Sequence, residues 1–217
     1  MFATIEQAIE DLKAGKMIIV VDDENRENEG DFIMPAQTIT SIDVNFMARY
    51  GRGLICAPIS TDCAKRLELN IMVPRSEDSL QTAFTVSVDA AQHTTTGISV
   101  RDRAVTLKLL ADRSSKPADF IRPGHIFPLI AKDGGVLERE GHTEAAVDLS
   151  KMAGFAPVGV ICEILTEDGS CARLPYLKEL AQNFQLSIIT IEDLIDYRKQ
   201  HPRCLVQGEE KYANYQN

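Results

Sequence analysis

Apolar side chains recur at Ile5, Ala8, Ile9 and Leu12, the spacing that turns one helix face toward a core, and Gly15 ends the run. MIIVV at 17–21 is continuously apolar and reads as a buried strand, so the acidic segment after it leaves a strand end. DFIMPA resumes an extended run that stops at Pro35. SIDVNFMARYG reads as a helix capped by Ser41, GLICAPIS at 53–60 as another strand, and TDCAKRLEL as a short helix. TAFTVSV at 82–88 alternates with a period of two, which predicts a strand, and TTTGIS follows as a loop of small residues. SVRDRAVTLKLLAD at 99–112 predicts a helix. In FIRPGHIFPLIAKDGG the RPG and DGG triplets read as turns on either side of a short strand. GHTEAAVDLSKMAG predicts a helix starting near Thr143 and ending at Gly154, PVGVICEILT a buried strand, and EDGS a turn, after which two helices straddle SIIT. Strands and helices alternate without repeat, low-complexity stretch or linker. The pattern predicts one α/β domain over residues 1–205, a mixed β-sheet covered by helices as an α/β/α sandwich, with 206–217 as a polar tail.

Composition narrows the function classes. The chain has 217 residues, 44% hydrophobic and 25% charged, enough to bury a substantial core. Its net charge of -9 argues against a nucleic-acid or anionic-membrane partner, because those contacts are led by clustered Lys and Arg. An anionic substrate stays compatible if a local Arg or a metal offsets the field. Five cysteines (Cys56, Cys63, Cys162, Cys171, Cys204) form no CxxC pair, and an odd number does not make a disulfide framework. The first helix carries acids, unlike a secretory signal or transit peptide, and no apolar run approaches the roughly 20 residues of a spanning helix. These features together predict a cytoplasmic protein.

The densest chemistry follows the first strand, in VVDDENRENEGDF at 20–32. Six carboxylates (Asp22, Asp23, Glu24, Glu27, Glu29, Asp31) stand against Arg26 within ten positions. Charges so close repel one another, so the segment is either a solvated surface turn or the seat of a cation. Glu27, Glu29 and Asp31 alternate as the chain returns to an extended run and would share one face, where a hard divalent cation such as Mg²⁺ relieves the repulsion. Arg26 beside them either neutralises the acids or holds an oxyanion.

In LEREGHTEAAVDL at 137–149, Arg139, Gly141, His142 and Thr143 sit at the mouth of a helix. Unpaired N–H groups and the positive end of the dipole make such a mouth an anion site, phosphate above all, although Thr143 is equally explained as a helix cap. Glu163 lies between apolar neighbours in VGVICEILT and must be paired, metal-linked or protonated there: a structural salt bridge or a general base. His125 is a core histidine or a proton carrier. Cys56 reads first as a small buried apolar residue and second as a thiol lining a site, and TTTGIS could cradle a phosphate.

RENEGDF at 26–32, HTTTGIS at 93–99, RPGHIFPL at 122–129, GGVLEREGHTEAAVDL at 134–149 and GVICEI at 159–164 together resemble the 3,4-dihydroxy-2-butanone 4-phosphate synthases of riboflavin biosynthesis. The resemblance implies conversion of D-ribulose 5-phosphate to L-3,4-dihydroxy-2-butanone 4-phosphate and formate. It implies Mg²⁺ or Mn²⁺ as cofactor, two ions per site, and a homodimer with the active site at the interface. By the same resemblance Glu27 and His142 are metal ligands. Arg26, Glu27, Asp31, Arg139, Glu140, Gly141, His142, Thr143 and Glu163 contact the substrate, and His125, Glu163 and Asp31 are catalytic. Some members carry a GTP cyclohydrolase II domain after this one. The sequence shows no Cys-rich zinc pattern before Asn217, so that activity is expected to be absent.

Overall fold

The acidic segment is the loop of a hairpin: β1 (Ile18–Val21) pairs antiparallel with β2 (Gly30–Pro35), Val21 opposite Gly30. All ten residues of these two strands are buried, which explains their unbroken apolar runs and the cost of Asp31 among them. β2 in turn pairs antiparallel with β6 (Gly159–Glu163), and the register sets Asp31 directly across from Glu163. β7 (Ile188–Thr190) adds parallel to β1. On the other side β3 (Cys56–Ile59) joins β6, β5 (Phe120–Ile130) lies parallel to β3, and β4 (Val88–Ala90) closes the edge. The computed structural model describes residues 2–205, and their strands form one mixed sheet in the order β4-β5-β3-β6-β2-β1-β7. The polar tail expected at 206–217 lies outside the described residues.

Helices cover both faces. α1 (Ile5–Lys13), α5 (His142–Met152) and α7 (Ile191–Gln200) touch one another, and α5 runs across β2, β3 and β6. On the opposite face α2 (Ser41–Phe46), its π-helical continuation Met47–Gly51, and α6 (Leu174–Phe184) meet in an aromatic cluster. There Phe46 lies 5.3 Å from Phe32 and 4.9 Å from Phe184 between ring centroids. α3 (Thr61–Arg66) follows β3, and α4 (Val100–Ala111) packs against α2 and the β4–β5 edge. This is the α/β/α arrangement that the alternating pattern predicts. No helix of the described residues is long and apolar enough to cross a membrane.

Three local expectations are corrected. The cap of α2 is Thr40, not Ser41: its hydroxyl accepts from the Asp43 N–H, and the Asp43 carboxylate accepts the Thr40 N–H at 2.8 Å. TAFTVSV is not a strand until Val88. Phe84 and Thr85 form only isolated bridges, because Pro128 opposite them has no N–H to extend a ladder. RPG does not end a strand but lies within β5. Val88 pairs with Ile126 while Asp89 pairs with Ile121, so Arg122 to His125 bulge from the ladder.

Candidate active site

Asp22, at the end of β1, organises the acidic loop. Its Oδ1 accepts the Glu29 N–H at 2.8 Å, and its Oδ2 accepts the Glu27 N–H at 3.0 Å and Arg26 Nη1 at 2.9 Å. Arg26 also bridges to the Glu27 carboxylate. Burial works against the Arg26 charge, but Glu27 and Asp22 outweigh it and raise its pKa. The acids are therefore not all bare: one carboxylate and one guanidinium are spent on holding the loop.

Glu27 and Asp31 converge with Glu163 on the N-terminus of α5. His142, the first residue of that helix, is 6% exposed, and its Nδ1 lies 3.8 Å from Glu27 Oε2 and 4.0 Å from Asp31 Oδ1. Its Nε2 faces the Val20 carbonyl at 3.2 Å; a carbonyl only accepts, so Nε2 carries a hydrogen and Nδ1 is the ring nitrogen that faces the acids. Burial pushes the Asp31 pKa up to about 7, with Glu163, Glu27 and Glu29 adding to the rise against the opposing pull of His142. For His142 burial opposes the charged form, yet Asp31 and Glu27 prevail and lift the ring to about 9. Burial also raises Glu163, although the Leu54 N–H donates to its Oε2 at 2.7 Å. Glu27 is lowered, chiefly by the His142 imidazole that faces it.

Three carboxylates facing one imidazole are short of positive charge, and oxygen donors beside an imidazole nitrogen suit a hard divalent cation. Asp22, Glu27 and His142 bring one donor atom each within 4.8 Å of one another. Asp22 already accepts three N–H bonds, so Glu27 and His142, with Asp31 beside them, are the donors left to hold an ion.

The same helix mouth opens on a cavity of about 270 Å³ lined by Arg26, Glu27, Glu29, Asp31, Cys56, Thr82, Arg139, His142, Thr143 and Glu163. Arg139 donates from Nη1 to buried Glu144 at 2.6 Å, from Nε to the Leu80 carbonyl at 3.1 Å, and from Nη2 to Thr82 Oγ1 at 3.0 Å. Three of its five N–H groups thus fix the guanidinium against the wall, and two are left for a ligand. Thr143 is not the helix cap: Gly141 occupies that place without a side-chain bond, which leaves the Thr143 hydroxyl to the cavity. Glu140 is exposed and stays outside the cavity.

His125 does not line this cavity either. It stands on the β5 bulge, where Asp89 accepts both its backbone N–H at 2.9 Å and its Nδ1–H at 2.7 Å, so Nε2 faces outward as the free ring nitrogen. The TTTGIS loop closes over the pair. Gly97 has φ +92, and a Cβ there would come 2.0 Å from Asp89 Oδ2. The loop's donors are turned inward: Thr95 and Gly97 N–H groups and the Thr95 hydroxyl all bond Asp102, and Thr94 bonds the Ala90 carbonyl.

Residues 6–197 match the family model of 3,4-dihydroxy-2-butanone 4-phosphate synthase. The chain belongs to the 3,4-dihydroxy-2-butanone 4-phosphate synthase family. Among similar proteins, the riboflavin biosynthesis protein RibBA of Bacillus mycoides is 60% identical over 210 residues, 97% of this chain and 53% of the relative. RibBA of a Bacillus cereus strain is 61% identical with the same coverage. The chain spans about half the length of these curated relatives. A solved synthase in complex with two magnesium ions superposes with a TM-score of 0.89 at 41% identity, covering 93% of this chain and 99% of that one. The Candida albicans synthase does so at 0.85 and 47%, covering 91% and 98%.

Within this synthase fold, several residues around the site carried no signal of their own in the sequence. Asp22 was one acid among six; its role follows from closing the hairpin. Asp89 lies just past the segment whose alternation predicts a strand, and only the bulge in β5 carries His125 back onto it. Leu54 contributes a backbone N–H, which no side-chain pattern encodes. Thr82 and Leu80 hold Arg139; the sequence pattern reads Thr82 as the start of a strand and gives Leu80 no role.

Proposed function

We propose that this chain converts D-ribulose 5-phosphate to L-3,4-dihydroxy-2-butanone 4-phosphate and formate, a step of riboflavin biosynthesis, with Mg²⁺ or Mn²⁺ as cofactor and two ions per site. The observation that carries this reading is the cross-strand pair Asp31–Glu163, both with raised pKa, facing Glu27 and His142 at the mouth of α5. Glu27 and His142 hold the cation. When bound, the ion supplies Lewis-acid polarisation of the substrate carbonyl.

The chain's own residues do the rest. Arg139, Thr143 and the N-terminus of α5 hold the phosphate, with Gly141 allowing close approach and Arg26 and Glu140 at the margin of the substrate. Asp31 or Glu163 takes the first proton from the carbon beside the carbonyl; Asp31, at about 7, is poised near neutrality for that transfer. His125, its Nδ1–H fixed by Asp89, exchanges a later proton at Nε2. Because His125 lies outside the cavity of its own chain, a homodimer with the site at the interface supplies it from the second copy. Residues 1–205 form the catalytic domain of a cytoplasmic protein that needs neither nucleic acid nor membrane. A metal-stabilised phosphate-binding module would use the same acids and helix mouth but has no need of Glu163 in a strand.

The phosphate anchor gives a direct test. D-Ribulose 5-phosphate and free D-ribulose, compared by formate release, are expected to differ at least about 100-fold in kcat/KM, and Arg139→Ala to narrow that gap by raising KM for the ester. Equal turnover of both sugars would rule out the anchor.

A further inference from the structure

Glu27 is gripped at both ends of its backbone. Its N–H is bound by Asp22 at 3.0 Å, and its carbonyl accepts Arg173 Nη1 at 2.8 Å; the same nitrogen donates to the carbonyl of Asn28. Arg173 comes from 146 residues along the chain and is the N-cap residue of α6. The two carbonyls it joins flank a left-handed turn, Asn28 at φ 55, which brings them to one side. One turn further along α6, buried Leu177 packs against Gly30 so closely that a Cβ there would come 2.5 Å from its Cδ1. Two residues before Arg173, Cys171 lies beside Glu29, which helps push its thiol up to about 11. The start of α6 therefore holds the loop at Glu27, Asn28 and Gly30.

We propose that Arg173 is a positioning residue for the metal site: by fixing the Glu27–Asn28 peptide from outside the cavity, it aims the Glu27 carboxylate at His142. The proposal rests on the reading of Glu27 and His142 as metal ligands. Arg173 is exposed and bonds carbonyls that water would otherwise solvate, so its removal costs the fold little. Its effect falls on the loop. Groups that orient ligands without touching the ion typically change metal affinity about 10–100-fold.

The test uses the full chain without substrate. Mn²⁺ binding is measured by calorimetry on wild type, Arg173→Ala, Arg173→Lys and Glu27→Ala, with melting temperature and amide hydrogen exchange on each. Arg173→Ala is expected to bind Mn²⁺ at least about 10-fold more weakly, with a melting temperature close to wild type and faster exchange confined to the loop. Arg173→Lys, which keeps a donor, recovers part of the affinity. In turnover, Arg173→Ala needs more metal but approaches the wild-type kcat at saturation. Unchanged Mn²⁺ affinity in a folded Arg173→Ala, with affinity lost in Glu27→Ala, overturns the clamp alone. Undiminished binding by Glu27→Ala overturns the metal-site reading and the clamp with it. If Arg173→Ala does not fold, Arg173→Lys decides: weaker Mn²⁺ binding together with faster loop exchange supports the clamp, and unchanged affinity despite faster exchange refutes it.

Discussion

Glu163→Gln is expected to cut formate release from D-ribulose 5-phosphate by about 10²–10⁴-fold, the usual contribution of a group that moves a proton in the transition state. The amide keeps the shape of the carboxylate and an oxygen to accept the Leu54 N–H, but it cannot take a proton. Stability moves the other way. Burial raises the Glu163 pKa from 4.5, so the folded chain loses stability as pH climbs from there through the raised value, and the full penalty stands above it. Gln has no such penalty. At about pH 8 the variant should melt at or above the wild-type temperature. An inactive but equally stable protein assigns Glu163 to the chemistry; near wild-type turnover removes it from the mechanism.

Co-expression of Glu163→Gln and His125→Ala chains should recover activity that neither homodimer has. In the mixed dimer the His125→Ala cavity keeps its carboxylates and receives an intact imidazole from its neighbour, while the other site lacks both groups. Purified through two different tags, the mixed dimer should show about half the wild-type activity. This follows from one placement: the His125–Asp89 pair and the carboxylate cluster both belong to the site as proposed, yet His125 does not line the cavity of its own chain. Failure of the mixed dimer to exceed its parents would mean that His125 acts within its own protomer or not at all.

Why some of this was legible in the sequence and some not comes down to range. The buried strands announced themselves because β1, β2 and β6 are covered on both faces and so run apolar without alternation. Against that background Glu163 stood out as a carboxylate inside an apolar run, while Asp31 was legible as the last of the acids where the chain turns extended; burial in the sheet raises the pKa of both. What sequence could not supply was pairing. That Asp31 faces Glu163 is a matter of register, and that Asp22 serves the loop is a matter of hairpin geometry. TAFTVSV misled because its period-two pattern is real while its partner strand carries Pro128, so tertiary context outweighed local preference. RPG misled for the opposite reason: a turn signal was absorbed as a bulge inside a long strand. Arg173 gave no local cue at all, since its two carbonyl partners lie at the other end of the chain.

The central claim is metal-supported cleavage of a phosphoketose by this carboxylate–imidazole cluster, and formate release from D-ribulose 5-phosphate tests it most directly. Purified protein is incubated with the substrate and Mg²⁺, and in parallel with a chelator in place of the metal. Formate produced with Mg²⁺ and abolished by the chelator is the predicted result. A folded protein that releases no formate in either condition, or releases it equally in both, would contradict the account.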